Sequence, residues 1–327
     1  MSLLSRPPAE AAQPGAGAAA PATPVLLPRR RIRGPGGMST RVGWLFILPN
    51  LLGFLIFTLV PLISGVGISF TDWNVISGLS GIKWVGLQNF AELITDGAFW
   101  AAVGRTVIYA GVGVPLTMAG GLGLALCLNG PVFGRAVLRV IFFIPHIVSS
   151  IALGFVWLIL LHPTSGLVNL ALQALGVANP PGWLVSQDWS LLSLVFITSW
   201  AGMGFHAVIF LSAMQALPTE LYEAAELDGA GAWTRFATIT WRALMPTTTF
   251  LFIMSLIGHS QGFGLIAFLT RGGPGDSSTT LSYLMYQTGF QNYRFGDAAA
   301  MGMMSFLGVL LLTVFFWRFQ RGRGLYT

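Results

Sequence analysis

Six long apolar runs constrain this chain more than any other feature of its sequence. Each run lasts about 20 residues, the length at which a helix crosses the hydrocarbon core of a bilayer. Transmembrane β-strands would instead alternate apolar and polar residues over about 10 positions. Charged residues make up only 9% of the 327 residues, against about 25% in soluble domains, which excludes a water-soluble globule. The predicted spans are residues 44–70, 106–128, 138–161, 191–216, 243–269 and 298–319.

The distribution of Lys and Arg between the connections predicts the orientation of these spans. Thirteen of the 17 cationic residues fall in the N-terminal segment, in the second-to-third and fourth-to-fifth connections, and at the C-terminus. The other four, Lys83, Arg105, Arg271 and Arg294, fall on the opposite side. Because cytoplasmic loops carry the excess of cationic residues, both termini and the fourth-to-fifth connection are predicted to be cytoplasmic.

Three segments outside the spans have a composition that predicts their state. Residues 1–40 are rich in Ala, Pro and Gly, so they are expected to form a disordered cytoplasmic tail before a membrane domain at 41–327. The outward segment 71–100 contains three Trp residues, whose amphipathic rings favour the membrane interface, and it is expected to rest there. A short interfacial helix is predicted within 166–176.

Several classes of function are disfavoured by the same composition. The net charge of +6 is spread along membrane boundaries without a compact nucleic-acid-binding module, so no nucleic acid is expected as a partner. Cys127 is the only cysteine, which rules out an intrachain disulfide. His and carboxylate spacings typical of metal sites are absent from the sequence, so no metal site is expected.

A small, acidic segment at about 218–240 separates the fourth and fifth apolar runs. Thr219 is expected to cap a helix there, and Glu220 and Glu223 suit the positive end of its dipole. Gly229 should weaken or break this helix, and a second short helix should follow through Ile239. The predicted local structure is therefore a helix, a bend and another helix.

The side chains of this segment suit a docking surface. Ala224, Ala225 and Gly229 have little bulk, so that another protein can approach the backbone closely. Glu223 and Asp228 add negative charge for a basic partner. Taken alone, the segment has another interpretation. It could be an ordinary solvated loop whose acidic residues only keep it hydrated.

The segment resembles, together with its flanks, the EAA loop of the membrane subunits of ATP-binding-cassette importers. Other motifs resemble the carbohydrate branch of these permeases, of the maltose or glycerol-phosphate type. They are SFTDW at 69–73, VGLQNF at 85–90, FGLI at 263–266, LTRGGPG at 269–275, YQTGF at 286–290 and RFG at 294–296. Two departures stand out, because Trp241 and Arg242 occupy a region where the family usually has proline, and Arg105 precedes Thr106 where it often has Asn.

The resemblance implies an all-α integral membrane protein with six transmembrane helices and the type I importer permease architecture. It implies that the 218–240 loop couples the chain to a separate ATPase. The coupling residues that it implies are Glu223, Ala224, Ala225, Asp228, Gly229 and Ile239.

The resemblance also implies a set of partners and a location. They are a second permease subunit, two ATP-binding-cassette ATPase subunits and an extracytoplasmic solute-binding protein, in the plasma membrane of a bacterium. ATP and Mg²⁺ would be used by the ATPase, and no cofactor is expected on this chain. A P-loop needs a lysine that reaches the phosphates, and the only lysine, Lys83, precedes Trp84 on the outward side. The chain is therefore not expected to be an enzyme.

Polar residues inside the fourth and fifth spans are candidates for the solute pathway. Such residues tend to face a bundle interior or an aqueous path, but hydrogen bonding between helices explains them equally well. The resemblance favours three of the polar candidates and adds Gly202, because family members contact solute from the matching spans. The candidates are Ser199, Gly202, His206, Ser255, His259 and Gln261, of which Ser199, Gly202, Ser255 and His259 are the favoured four.

Two other classes of membrane protein remain as alternatives. A secondary transporter driven by an ion gradient would need charged relays within the spans, and the predicted spans hold no Asp or Glu. An intramembrane protease could use a Ser and one of His146, His206 and His259. However, these histidines lie on three different spans, and no Gly-x-Ser-x-Gly turn accompanies them.

Overall fold

The computed structural model describes residues 40–321, and the side chains within 44–318. The tail predicted for 1–40 lies outside the described residues, except for its last position. The chain divides into two units, and the boundary follows Ile56. The described part of the first unit is helix α1 (Thr40–Phe54) and the start of a π-helical turn at Leu55–Leu59.

The second unit begins with helix α2 and a small hairpin. Helix α2 (Val60–Ile68) precedes strand β1 (Thr71–Asp72), which pairs antiparallel with β2 (Lys83–Trp84). Two 3-10 turns, Val75–Ser77 and Leu79–Gly81, form the tip between the strands.

The rest of the second unit is helical. Two further π-helical turns, Phe236–Thr240 and Gln287–Gln291, interrupt the series. In chain order the helices are α3 (Gln88–Thr95), α4 (Gly97–Asn129), α5 (Arg135–Ile147), α6 (Ser150–Leu160), α7 (Leu167–Ala174), α8 (Ser190–Gln215), α9 (Thr219–Leu227), α10 (Ala232–Arg235), α11 (Trp241–Ser260), α12 (Gly264–Leu269), α13 (Leu281–Tyr286) and α14 (Phe295–Arg321).

Within the described residues, five helical stretches are long and apolar enough to cross a membrane. The pair α5 and α6 forms a sixth span if it is counted as one. Each of the six predicted spans has a counterpart, and α7 forms within the predicted interfacial segment. The five continuous stretches are Trp44–Ile68, Gly97–Asn129, Ser190–Gln215, Ala232–Leu269 and Phe295–Arg318.

The third span is not one continuous helix, which corrects the prediction of an uninterrupted 138–161 span. The axes of α5 and α6 differ by 102°. Pro145 lies in the last turn of α5 and supplies no N–H, and Val148 then adopts an extended backbone. Ser149 starts the next helix by accepting a hydrogen bond from the Ile151 amide at 3.4 Å. Apolar character alone did not reveal this break.

The second span begins earlier than its apolar run. The Asp96 carboxylate caps α4 by accepting a hydrogen bond from the Ala98 amide at 2.9 Å. Arg105 had suggested a boundary, but it is part of the helix. Its guanidinium donates to the Thr279 carbonyl at 3.3 Å, and the Thr106 hydroxyl accepts from the Leu281 amide at 2.8 Å. The N-terminal part of α4 is thus fastened to the segment before α13.

Helix α8 is the centre of the second unit and packs against α4, α5 and α11. Glycines allow the close approach of these helices, as is common in membrane bundles. A Cβ atom at Gly204 would overlap the Phe142 carbonyl of α5, and one at Gly121 would overlap the His206 side chain. Around them, α4, α8 and α11 contribute a buried apolar cluster that includes Phe210 and Leu251. The polar residues of α8 and α11 are therefore held in a tightly packed frame.

Candidate functional site

The predicted coupling loop begins with helix α9. Its N-cap is Pro218, whose backbone is extended, and Thr219 is the first helical residue without a capping hydrogen bond from its side chain. The prediction that Thr219 caps the helix is therefore wrong. Proline fixes φ near the value that the turn into a helix requires, which moves the helix start one residue earlier. Glu220 lies in the first turn, as expected.

The end of α9 is a tight left-handed turn at Gly229. The φ angle of this glycine is +77°, a value that residues with a Cβ rarely adopt. The Gly229 amide donates to the Glu226 carbonyl at 3.0 Å, and the Ala230 amide donates to the Ala225 carbonyl at 2.9 Å. This pair of hydrogen bonds is the Schellman motif, which ends a helix with a defined change of direction. The predicted bend is confirmed.

The second helical piece does not end at Ile239. Helix α10 passes through the π-helical turn at Phe236–Thr240 directly into α11. The prediction of a second short helix is therefore wrong, because no helix-breaking residue separates Ile239 from the apolar residues of the fifth span. The start of α10 therefore belongs to one continuous helical stretch that leads into the fifth span.

Two side-chain contacts brace α9 against this continuous helix. The Tyr222 phenol and the Thr240 hydroxyl are 2.9 Å apart. Arg235 donates to the Glu226 carboxylate at 2.7 Å, in an ion pair whose Glu side chain is 73% exposed. The exposed pair contributes about 0–1 kcal/mol. Together with the turn at Gly229, the contacts make α9 and the start of the fifth span one unit.

The outer face of α9 carries most of the predicted coupling residues. Glu223, Ala224, Asp228 and Gly229 are exposed, whereas Ala225 and Ile239 are half-buried. No sequence motif had singled out two apolar neighbours of this face. Leu227 is 90% exposed and Trp233 is 77% exposed. An apolar side chain in an otherwise acidic, polar loop was the available signal for them.

Four of the six pathway candidates lie in one buried polar cluster between α4, α8 and α11. The Ser199 hydroxyl donates to the Gly113 carbonyl at 3.1 Å, which joins α8 to α4. The ring of His206 and the hydroxyl of Ser255 are 2.7 Å apart, which joins α8 to α11. His259 belongs to the same group, because its Nδ1 is 2.9 Å from the Ser255 carbonyl.

For neutral rings, the hydrogen-bond partners fix the proton positions of both histidines. A carbonyl only accepts, so Nδ1 of His259 donates to Ser255 and Nδ1 of His206 donates to the Gly202 carbonyl at 3.0 Å. Nε2 of neutral His206 must then accept from the Ser255 hydroxyl. Nε2 of His259 is also an acceptor, but it is buried and has no hydrogen-bond partner in the part of the chain that the structure describes.

Two glycines shape this cluster, and one of them was missed in the sequence. A Cβ at Gly113 would come within 2.6 Å of His259 Nε2, so only glycine lets the ring approach α4. A Cβ at Gly202 would come within 3.0 Å of the Thr117 methyl group. A glycine in the middle of an apolar run was the available signal for Gly113.

Gln261 lies apart from the other five candidates. It is exposed and lines a cavity of about 440 Å³ between α11 and α14. Gln261 follows the last residue of α11, where the helix direction is lost, and so it does not continue the face that carries Ser255 and His259. The structure therefore does not bring this side chain to the polar cluster.

The Ser255 and His206 pair has the hydrogen bond of a serine nucleophile and its base. However, Ser255 is 5% exposed and His206 is 6% exposed, and the hydroxyl points at a ring that is packed against α4. A substrate carbonyl has no approach to that oxygen in this conformation. The pair therefore acts here as a bond between α8 and α11.

The chain matches known proteins over most of its length. Residues 113–322 match the family model described as binding-protein-dependent transport system inner membrane component. The chain is 30% identical to the probable starch degradation products transport system permease protein AmyD of Thermoanaerobacterium thermosulfurigenes, over 83% of this chain and 91% of that protein. It is 33% identical to the trehalose/maltose transport system permease protein MalF of Thermococcus litoralis, over 87% and 95%.

A solved transporter has a similar structure. A chain in the crystal structure of a bacterial alginate ABC transporter, in complex with a periplasmic protein bound to an alginate pentasaccharide, superposes with a TM-score of 0.76. The two chains are 25% identical, and the match covers 88% of this chain and 96% of that one. The family match covers more than half of this chain, and relatives above 30% identity align with most of it. The chain therefore belongs to the binding-protein-dependent transport system inner membrane component family.

Proposed function

We propose that this chain is one of two permease subunits of an ATP-driven sugar importer, and that α9 couples it to a separate ATPase. The observation that carries the proposal is the exposed α9, braced to a helix that runs unbroken into the fifth span. A sugar is the proposed solute because the names of the relatives include starch degradation products, trehalose and maltose. The similar crystal structure contains an alginate pentasaccharide.

The proposed assembly has four kinds of protein. A second permease completes the pathway, two ATPase subunits bind ATP and Mg²⁺ in the cytoplasm, and an extracytoplasmic solute-binding protein delivers the sugar. The excess of Arg on one side supports cytoplasmic termini and a cytoplasmic α9 in a bacterial plasma membrane. Residues 41–327 form the membrane domain in this proposal.

Closure of the ATPases would move α9, and the braced unit would transmit that movement to the fifth span. Shifting a two-state equilibrium from 1:99 to 99:1 takes about 5.5 kcal/mol of differential interaction. An exposed ion pair contributes about 0–1 kcal/mol, so Glu223 alone is insufficient. The whole small-residue face of α9 must pack in a cleft of the partner, with Ala224, Ala225, Asp228 and Gly229 at the contact.

The polar cluster between α4, α8 and α11 is the proposed place where solute passes. Its members lie within membrane spans, and polar groups there tend to face a pathway or a helix partner. Ser199, His206 and Ser255 have helix partners in this conformation, whereas His259 keeps one buried acceptor that meets no hydrogen-bond donor among the described residues. A sugar hydroxyl is such a donor. His259 is therefore the residue of the cluster for which solute contact is best supported.

Co-purification tests the coupling proposal. The full chain, expressed with its second permease and a candidate ATPase, should retain the ATPase in detergent, and a Glu223→Arg, Ala224→Leu double variant should lose it. Both substituted positions are exposed, so the double variant should leave the fold of this chain intact.

Gly229→Leu is a poorer test of the contact, although Gly229 is exposed. The φ angle of +77° at Gly229 strains any residue with a side chain, so the variant would also disturb the turn. Gly231→Ala is the matched control, since Gly231 has an extended backbone with open space around it.

A second assay separates the importer from an ion-driven carrier. Sugar uptake by proteoliposomes should require ATP inside and persist when an uncoupler collapses the ion gradient. Uptake that continues without ATP and stops with the uncoupler would contradict the proposal and support the secondary transporter.

A further inference from the structure

The hairpin between α2 and α3 exposes large apolar side chains. Ile76 is 75% exposed, Leu79 is 78% exposed and Trp84 is 71% exposed. Grouped apolar exposure of this kind marks a surface that contacts a membrane or another protein. No pathway or coupling role accounts for it.

The hairpin has a fixed position. Its tip is bonded to the segment before α14, because the Val75 amide donates to the Tyr293 carbonyl at 3.2 Å. The Phe295 amide donates to the Trp73 carbonyl at 2.9 Å. Its base is held by the buried Asn89 side chain, which donates to the Thr71 carbonyl at 2.9 Å. The exposed apolar residues are therefore presented by a rigid element.

The hairpin lies beside the ends of three candidate membrane spans. Neighbouring spans end at Ile68 and begin at Gly97 and Phe295. The bonds to Phe295 and to Thr71 keep the hairpin within a few residues of two of these points. Its exposed apolar residues therefore lie close to the points where apolar spans begin or end.

Two features of the tip suit contact with lipid. All of its charge is at the base, where Asp72 lies opposite Lys83, and residues 73–82 carry none. Its 3-10 turns also pair backbone groups that lipid cannot solvate. The Gly78 amide donates to the Val75 carbonyl at 3.1 Å, and the Ile82 amide donates to the Leu79 carbonyl at 3.4 Å.

The base of the hairpin has the composition of a membrane interface. The Trp84 ring stacks on Phe70 with 5.5 Å between centroids, and Lys83 precedes it. Trp favours the headgroup level, and Lys can extend its charge to water while its stem lies along apolar groups. We propose that the hairpin inserts Ile76 and Leu79 into the outer leaflet of the lipid bilayer, with Trp84 at the headgroup level. The choice of the outer leaflet rests on the proposed function, whereas the insertion of the hairpin into lipid does not.

Fluorescent labelling of the assembled complex tests this insertion. Cys127→Ser gives a cysteine-free background, to which Ile76→Cys or Leu79→Cys is added and labelled with an environment-sensitive dye. The complexes are placed in nanodiscs of phosphatidylethanolamine and phosphatidylglycerol, with or without brominated acyl chains. Val107→Cys is the lipid reference, at a position 62% exposed within α4, and Glu92→Cys, exposed on α3, is the water reference.

The two hairpin labels should resemble the lipid reference. Brominated lipid should quench them at least about half as strongly as the Val107 label, and aqueous iodide should quench them about threefold less than the Glu92 label. Strong quenching by iodide without quenching by brominated lipid would overturn the proposal. The proposal would also be overturned if iodide quenched the labels and an added solute-binding protein alone suppressed that quenching. The hairpin would then be a protein-docking surface.

The side of the membrane is measured separately. A membrane-impermeant thiol reagent added to intact cells should modify Glu92→Cys. Labelling of Glu92→Cys only after the cells are opened would contradict the orientation in the proposed function, while insertion of Ile76 and Leu79 would still be decided by the quenching.

Discussion

The Tyr222 phenol lies 2.9 Å from the Thr240 hydroxyl, across the turn that Gly229 makes between α9 and the fifth span. Thr240 is 6% exposed, at the end of the π-helical turn that leads into α11. A contact on the exposed helix α9 thus reaches a buried position at the start of the fifth span. The pair is a direct side-chain contact between α9 and the turn that leads into α11.

Tyr222→Phe should weaken coupling more than folding. The variant keeps the ring and loses one hydrogen bond, which is worth about 1 kcal/mol in stability. Because the bond braces α9, the ATP hydrolysed per sugar imported should rise, while the ATPase still co-purifies. Simultaneous measurement of uptake and phosphate release checks this. An unchanged ratio of ATP hydrolysed to sugar imported would show that the turn and the Glu226–Arg235 ion pair are sufficient braces. Thr238→Ala is the control, because the Thr238 hydroxyl donates to the Thr234 carbonyl of its own helix.

Ser255→Ala should destabilise the bundle by leaving a buried acceptor without its donor. Nε2 of His206 accepts from the Ser255 hydroxyl at 2.7 Å, and an unsatisfied buried polar group costs about 1–3 kcal/mol. The midpoint of thermal unfolding of the detergent-solubilised complex should fall. Ser212→Ala is the control, because that exposed hydroxyl donates to the Val208 carbonyl of its own helix.

The same Ser255 variant tests the protease alternative. Wild-type protein should not react with a fluorophosphonate probe, since the Ser255 hydroxyl is buried against the His206 ring. Labelling that Ser255→Ala abolishes would contradict this expectation and reveal a reactive serine.

The number of spans was predictable because hydrophobicity over about 20 residues is a strong, local signal. The bend in the third span was not, since it depends on Pro145 together with an extended Val148, and proline alone is tolerated elsewhere, as at Pro115 within α4. A proline in a membrane helix breaks it only where neighbouring groups satisfy the freed backbone.

The coupling loop was predictable in position and less so in detail. Gly229 marked the bend because glycine adopts a positive φ without strain. The prediction missed that α10 continues into α11, although no helix-breaking residue follows Ile239 before the apolar run, and it assigned the N-cap to Thr219 instead of Pro218. In the polar cluster, the presence of polar residues within apolar spans indicated Ser199, His206 and His259. The hydrogen-bond partners of Ser199 and His206 on other helices were not predictable, because no sequence spacing indicates such pairs.

Gly204→Ala should damage the packing of α5 on α8. A Cβ at this position would overlap the Phe142 carbonyl, and backbone cannot move aside as a flexible side chain can. Overpacking of a tight interface costs about 1–3 kcal/mol, so the complex should unfold at a lower temperature. Gly123→Ala on α4 has open space and should be neutral or gain about 0.5–1 kcal/mol from helix propensity. Equal unfolding temperatures for the two variants would contradict the close contact between α5 and α8.

Trp233→Ala should weaken binding of the ATPase more than any single charge change in the loop. Trp233 is 77% exposed beside the turn at Gly229, and its ring centroid is 5.6 Å from that of Phe236, which holds it in place. A pre-positioned Trp that becomes buried in a partner typically costs about 2 kcal/mol or more when truncated, equivalent to about a 30-fold loss of affinity. Titration of the purified ATPase onto the permease pair in nanodiscs measures this loss, with Thr234→Ala as the control on the adjacent exposed position. If Trp233→Ala binds as tightly as the control, the contact with the ATPase is limited to the small residues of α9, and the exposed Trp lies outside it.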